Sequence, residues 1–167
     1  MKRVFSQTFC VAWAIIEKDW KFCLVKENSK WADRWKYNQP SWWIELWENP
    51  ISAVKKEVLE ETWLVFEPTW LVGIFSLERN DLIWKNEWLS EDIFPHPIKL
   101  IFRWNILWED QNKLEKDEIS SVEWFTADEI FSMTQDQLRD IDIKKEVEAY
   151  IKWNNFPLDM IFHTIQS

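Results

Sequence analysis

The chain is nearly without glycine. Among 167 residues there is one, Gly73, where an average usage of about 7% would give roughly 12. A fold with many turns needs positions that accept positive φ, and a single glycine cannot supply them. Cysteine is also scarce. The two present, Cys10 and Cys23, cannot by themselves make a zinc site, and a chain of this length needs no disulfide staple. Both lie in strand-like apolar runs, which reads as buried thiols in a reducing compartment and predicts a cytoplasmic protein. Basic residues are in deficit, 20 against 29 acidic, for a net charge of −9, which argues against a nucleic-acid backbone binder. No run reaches the ~18 apolar residues of a membrane span, and Met1 to Val4 leads into no signal-peptide core, so no membrane partner is expected.

What is present is a globular composition, 47% apolar and 29% charged, with 15 tryptophans. The tryptophans fall where turns belong. Asp19-Trp20 separates two apolar runs, and Asp33-Arg34-Trp35-Lys36, Asn86-Glu87-Trp88 and Lys152-Trp153-Asn154-Asn155 repeat the pattern. These are contexts for Asp-Gly and Gly-Asn. Thirteen positions read this way: Trp13, Trp20, Trp31, Trp35, Trp42, Trp47, Trp63, Trp70, Trp84, Trp88, Trp104, Trp108 and Trp153. Trp124, in the strand pattern Val122-Glu123-Trp124-Phe125, reads as a true tryptophan, and Trp43 leans the same way. Glycine at the 13 positions would give 14 in all, close to ordinary usage. A gene that reads UGA as glycine, written with UGA as tryptophan, would produce this pattern.

The chain reads as one α/β (α+β) domain over residues 1–167, with no repeat or linker. Thr8 to Glu17 and Phe22 to Lys26 form a predicted hairpin, followed by a polar loop and a short extended piece near Trp43. Asn49-Pro50 marks a helix start, and Ile51, Val54 and Val58 lay an apolar stripe on a helix ending near Thr62. Val65 to Leu77, Ile98 to Leu107 and Val122 to Phe125 read as strands, with an irregular acidic loop through Phe94-Pro95-His96-Pro97. Thr126 to Glu129 has capping-box spacing for a short helix, and Ile143 to Lys152 is the last helix.

The chemistry lies on the first helix. Glu57, Glu60 and Glu61 are related by three and four residues and share one face beside the apolar stripe. Hard oxygen donors so arranged suit Mg²⁺ or Mn²⁺. Lys99 and Arg103, four apart on one strand, share a face and could meet phosphates. Tyr37 and Trp43 flank the approach to the helix and could stack on a base.

From Trp42 to Leu64 the chain reads WWIELWENPISAVKKEVLEETWL. This resembles the Nudix box, Gly-x5-Glu-x7-Arg-Glu-U-x-Glu-Glu-x-Gly-U, with U a bulky apolar residue. Trp42 and Trp63 stand at the two glycines, Glu48 at the first Glu and Lys56 at the Arg. Glu57, Val58, Glu60, Glu61 and Leu64 match directly. The lead-in from Trp35 to Trp42 and the ending from Tyr150 to Ile161 are similar to a phosphatase-like Nudix branch that hydrolyses nucleoside tri- and diphosphates and hydroxymethylpyrimidine pyrophosphate.

The resemblance implies a Nudix fold, a mixed β-sheet between helices, and a hydrolase of phosphorus-containing anhydrides. It implies that Glu57 and Glu61 hold the metal, that Glu60 assists through metal or water, and that the backbone carbonyl of Ser41 is a further ligand. Glu48 would pair with Lys56, orienting the helix, though lysine offers one compact charge in place of a bidentate fork. A general base outside the box would be Asp117 or Glu118. The implied partner is a small nucleotide or diphosphate substrate, on a monomer or homodimer. An ADP-ribose or nucleotide-sugar pyrophosphatase stays open, because the box fixes chemistry and not the leaving group. So does an inert Nudix-fold binding module, if the tryptophans are literal.

Overall fold

A computed structural model describes residues 7–28, 34–78, 84–85, 92–93, 95–109 and 119–165. In chain order these form β1 (Gln7–Ile15), β2 (Glu17–Lys18), β3 (Lys21–Glu27), β4 (Tyr37–Asn38), β5 (Ser41–Trp43), α1 (Pro50–Thr62) and β6 (Leu64–Ser76). There follow β7 (Trp84–Lys85), β8 (Asp92–Ile93), β9 (Pro95–Glu109), β10 (Ile119–Thr126), α2 (Ala127–Ser132) and α3 (Ile143–Ile151). A 3-10 turn at Leu158–Met160 follows α3.

One sheet has the order β5-β1-β9-β6. Its β1–β9 pair is parallel and its outer pairs are antiparallel, so it is a mixed sheet. Period-two alternation sends the side chains of β1 to two separate cores. Ala12, Ala14 and the following Ile16 pack with Ala53, Val54 and Val58 of α1, together with Leu71 and Phe102. Val11, Trp13 and Ile15 face the other way, onto Ile143, Val147 and Tyr150 of α3 and Ile130 of α2. The sheet is therefore covered by helices on both faces, as the sequence predicts. A second sheet, β10-β3-β2 with β4 paired to β3, packs beside it.

Local chemistry sets the ends of α1. Asn49 Oδ1 accepts from the Ile51 N–H at 2.8 Å, and Pro50 takes the first helical position, where its missing N–H costs nothing. At the other end Trp63 lies at φ 60°, ψ 15°, with its N–H on the Leu59 carbonyl. The α2 capping box forms between Thr126 and Glu129.

Three expectations are corrected. Pro95-His96-Pro97 is strand, not irregular loop, with Gln7 to Phe9 opposite it. Proline's fixed φ suits extended backbone, and the Pro97 carbonyl still accepts, here from the Leu77 N–H at 3.2 Å. The stretch before it also contains a two-residue ladder, β7 with β8. Cys23 is buried, but Cys10 is exposed, because it lies on β1 short of the stretch that α1 covers.

Candidate active site

Glu57 and Glu61 lie one turn apart on the sheet side of α1, only 2% and 8% exposed, with Glu60 half-buried beside them. At about 100° per residue, side chains four apart are closer in direction than either is to a third acid between them. Among the described residues no three carboxylate, histidine or cysteine side chains converge tightly enough to hold one ion. The expected three-carboxylate cluster is thus a buried pair with Glu60 at its margin.

β5 brings the chain across this pair. The Ser41 N–H donates to Glu61 Oε2 at 3.1 Å, which ties the residue before the box to the last acid of the helix. Lys56 Nζ lies 3.9 Å from Glu48 Oε1 and 3.9 Å from Glu57 Oε1. Glu48 is itself fixed by the Glu45 N–H, which donates to its Oε2 at 3.1 Å. Burial, with the Glu61 charge adding to it, pushes the Cys23 thiol up to about 12, so this cysteine stays a neutral packing residue. Two buried carboxylates on successive turns are hard oxygen donors, and their chemistry fits Mg²⁺ or Mn²⁺.

Sequence reasoning missed the support behind Ser41. Asn38 Nδ2 donates to Ser41 Oγ at 3.3 Å and to Glu27 Oε1 at 2.9 Å, and Arg139 pairs with the same Glu27 oxygen at 2.6 Å. A connected polar chain thus runs from the loop before α3, through β3 and β4, to the acids of α1. Asn38 lies in the lead-in motif and was accessible from it. Glu27 and Arg139 are 112 residues apart and carry no local signal.

The remaining candidates are placed as follows. Tyr37 donates its hydroxyl to Glu123 Oε2 at 2.8 Å and packs edge-on against Phe125. Burial and this bond to Glu123 push its pKa up to about 12. Trp43 is 42% exposed and stacks on Phe9, ring centres 4.4 Å apart, so one of its faces is already taken. Asp117 and Glu118 lie outside the described residues.

Lys99 and Arg103 share a face, but it is the face opposite α1. Leu100 and Phe102 of β9 pack in the α1 core, and the alternate residues turn toward α3. Lys99 is fully buried and ion-paired to Asp142 at 2.8 Å, Asp140 at 3.2 Å and Glu146 at 3.3 Å. Its Nζ also sits 3.7 Å from the centre of the Trp13 ring. Arg103 lies over the rings of Tyr150 and Trp153 and donates to Asn155 Oδ1 at 2.9 Å. Both cations have structural partners on the α3 side, on the opposite face of the sheet from the acids of α1.

The Lys99 cluster makes stability depend on pH. Burial pushes the Glu146 carboxyl from 4.5 to about 8 against the pull of Lys99, with Asp142 and Asp140 adding to the rise. The folded protein then holds a proton that the unfolded chain releases, so stability falls as pH rises from about 4.5 towards 8. Thermal unfolding between pH 5 and 8 should show this slope, and Glu146→Gln, which mimics the protonated acid, should flatten it. An unchanged slope in the variant would assign the pH response to other groups.

The NUDIX domain family matches residues 8–147, a span that includes the whole box and the strands and helices around it. The chain belongs to this family, and it is a hydrolase acting on phosphorus-containing anhydrides. Phosphatase NudJ of Escherichia coli K12 is 22% identical over 147 residues, spanning 88% of this chain and 86% of that protein. The structure is similar to a NUDIX hydrolase from Nitrosomonas europaea, with TM-score 0.77 and 27% identity, covering 96% of this chain and all of that one. It shares its fold with an ADP-ribose pyrophosphatase from Streptococcus suis 89-1591, with TM-score 0.59 and 17% identity over 89% of this chain and 95% of the other.

Proposed function

We propose that the protein is a Mg²⁺- or Mn²⁺-dependent hydrolase of the diphosphate linkage in nucleotides or related small phosphorylated metabolites. The observation that carries this reading is the buried Glu57/Glu61 pair, with the Ser41 backbone hydrogen-bonded to it. In the reaction a water oxygen bonds to one phosphorus, the P–O bond of the anhydride breaks, and the leaving phosphate takes the electron pair. Glu57 and Glu61 would hold the metal, with Glu60 assisting and the Ser41 carbonyl as a further ligand. When bound, the metal offsets charge on the phosphate oxygens and makes water a stronger nucleophile at neutral pH.

The chain's own residues set the geometry. Lys56, between Glu48 and Glu57, keeps the first of the two acids oriented. The chain Arg139–Glu27–Asn38–Ser41 holds the turn before α1 against Glu61. Glu118 is the base we assign outside the helix. Trp42 and Trp63 stand at the two glycine positions of the box, and the native site would carry glycine at both. Among the described residues no helix is long and apolar enough to cross a membrane. We take the enzyme to be cytoplasmic, a monomer or homodimer, and to act without nucleic acid.

A panel of nucleoside tri- and diphosphates, ADP-ribose and nucleotide sugars, with phosphate and pyrophosphate measured separately, tests the reading. Release from nucleoside tri- or diphosphates that stops with EDTA and returns with Mg²⁺ or Mn²⁺ is expected. Turnover confined to ADP-ribose or nucleotide sugars would move the substrate class, and full activity in EDTA would refute the metal-dependent reading.

A further inference from the structure

The backbone demands glycine at positions where the sequence is written with tryptophan. Six described residues other than glycine have positive φ: Asp19, Trp20, Trp35, Trp47, Trp63 and Trp153. Positive φ is uncommon outside glycine and its short polar substitutes, and for a bulky residue it is an outlier. Here five of six are tryptophan. All five belong to the positions that composition and turn context single out in the sequence. The written glycine, Gly73, is not among the left-handed residues. It lies in β6, where an added Cβ would come within 3.0 Å of the Phe75 ring.

Four of the five occupy turns with a defined glycine requirement. Asp19 and Trp20, at φ 53° and 62°, join β2 to β3 across the Lys18–Lys21 pair. Two successive positive φ values make a type I′ hairpin, whose preferred sequence is Asn-Gly or Asp-Gly. The Glu48 N–H closes a turn on the Glu45 carbonyl, with positive φ at the third residue, Trp47, alone. That is the type II pattern, which places glycine there. Trp63 ends α1 in the left-handed conformation with its N–H on the Leu59 carbonyl. Beyond α3, the Asn154 N–H reaches back to the Ala149 carbonyl while Trp153 takes φ 59°, the Schellman arrangement with glycine at its pivot.

The side chains point the same way. Trp20, Trp35, Trp47 and Trp153 are all more than half exposed, packing little of their area where a tryptophan normally packs most of it. Trp13 is buried, but among the described residues its indole N–H has no hydrogen-bond partner, which is unusual for a native core tryptophan. Trp124 behaves differently. It lies in β10 with ordinary backbone, paired with Cys23, and packs against the α1 core.

We infer that positions 20, 35, 47, 63 and 153 are glycine in the native protein, encoded by UGA in an organism that reads UGA as glycine, and that Trp124 is tryptophan encoded by UGG. The inference does not depend on the enzymatic reading, and its test does not use activity. Peptide mass spectrometry of the protein isolated from its source should place glycine at the five positions. Each of the five residues should be lighter by about 129 Da than written, because glycine has no side chain. The peptide containing residue 124 should keep its tryptophan mass. The gene should carry UGA at the five codons and UGG at codon 124. Tryptophan masses at the five positions, or UGG at their codons, would overturn the inference.

A second measurement reads the same question through folding. A recombinant chain with glycine at the five positions should melt at least roughly 10 °C above the chain as written, given a few degrees per relieved site in a chain of this size. Trp124→Gly should lower the melting temperature, because it opens a cavity. Equal or lower stability of the glycine chain would count against the inference.

Discussion

Glutamine at position 57 or 61 is expected to lower turnover about 10²- to 10⁴-fold while leaving the fold intact. Either substitution keeps the shape of the side chain and removes the charge that would hold a divalent cation, whose contribution of several kcal/mol to the transition state converts to a loss of that size. Packing should survive. Glu57 and Glu61 are almost fully buried, but glutamine fills the same volume, and at position 61 its carbonyl oxygen can still accept the Ser41 N–H. The check pairs steady-state kinetics at saturating Mg²⁺ with thermal unfolding in EDTA. Turnover near that of the unaltered protein in either variant would remove that acid from the site. A collapse of stability in EDTA would show that the pair serves the fold. Glu60→Gln should cost less, because Glu60 lies at the margin of the pair.

The first helix and its acids were legible because everything that defines them is local. Asn49-Pro50 caps the start, Val54 and Val58 bury the inner face, and the box spacing puts Glu57 and Glu61 a turn apart. The strands and helices themselves could be read from periodicity and caps, while the covering of a mixed sheet by helices on both faces was what the resemblance to the Nudix box implied. What was not legible depends on distant partners. Pro95 and Pro97 read as loop residues, and it is β1 alongside them, with Leu77 beyond β6 on the other side, that makes them strand. The Ser41 support chain joins β3, β4 and the loop before α3, and only its asparagine lies in a recognisable motif. Spacing placed Lys99 and Arg103 on one face correctly, but a single strand does not reveal which of two helix layers that face will meet.

Lys99→Met is expected to destabilise the protein by about 3–5 kcal/mol, the usual cost of removing one partner from a buried ionic cluster. That is a large part of the ~5–15 kcal/mol available to a domain and should lower the melting temperature by roughly 10 °C or more. The physical reason is the company Lys99 keeps. Burial alone would drive its ammonium towards neutrality, but Glu146, Asp140 and Asp142 outweigh burial and hold its pKa above the ordinary value. Without the cation Asp140 and Asp142 stay buried beside a Glu146 that already holds its proton, and they too must take up protons or open to water. Protonation is the easier course at low pH, so the loss should shrink as pH falls towards 5. Combining Lys99→Met with Asp142→Asn and Glu146→Gln should recover part of the stability, since charge and counter-charge are then removed together. The experiment also separates this role from phosphate binding. A lysine that met substrate would, when replaced, raise KM with little change in unfolding. Lys99→Met should instead lower the melting temperature and, in whatever fraction remains folded, leave KM where it was.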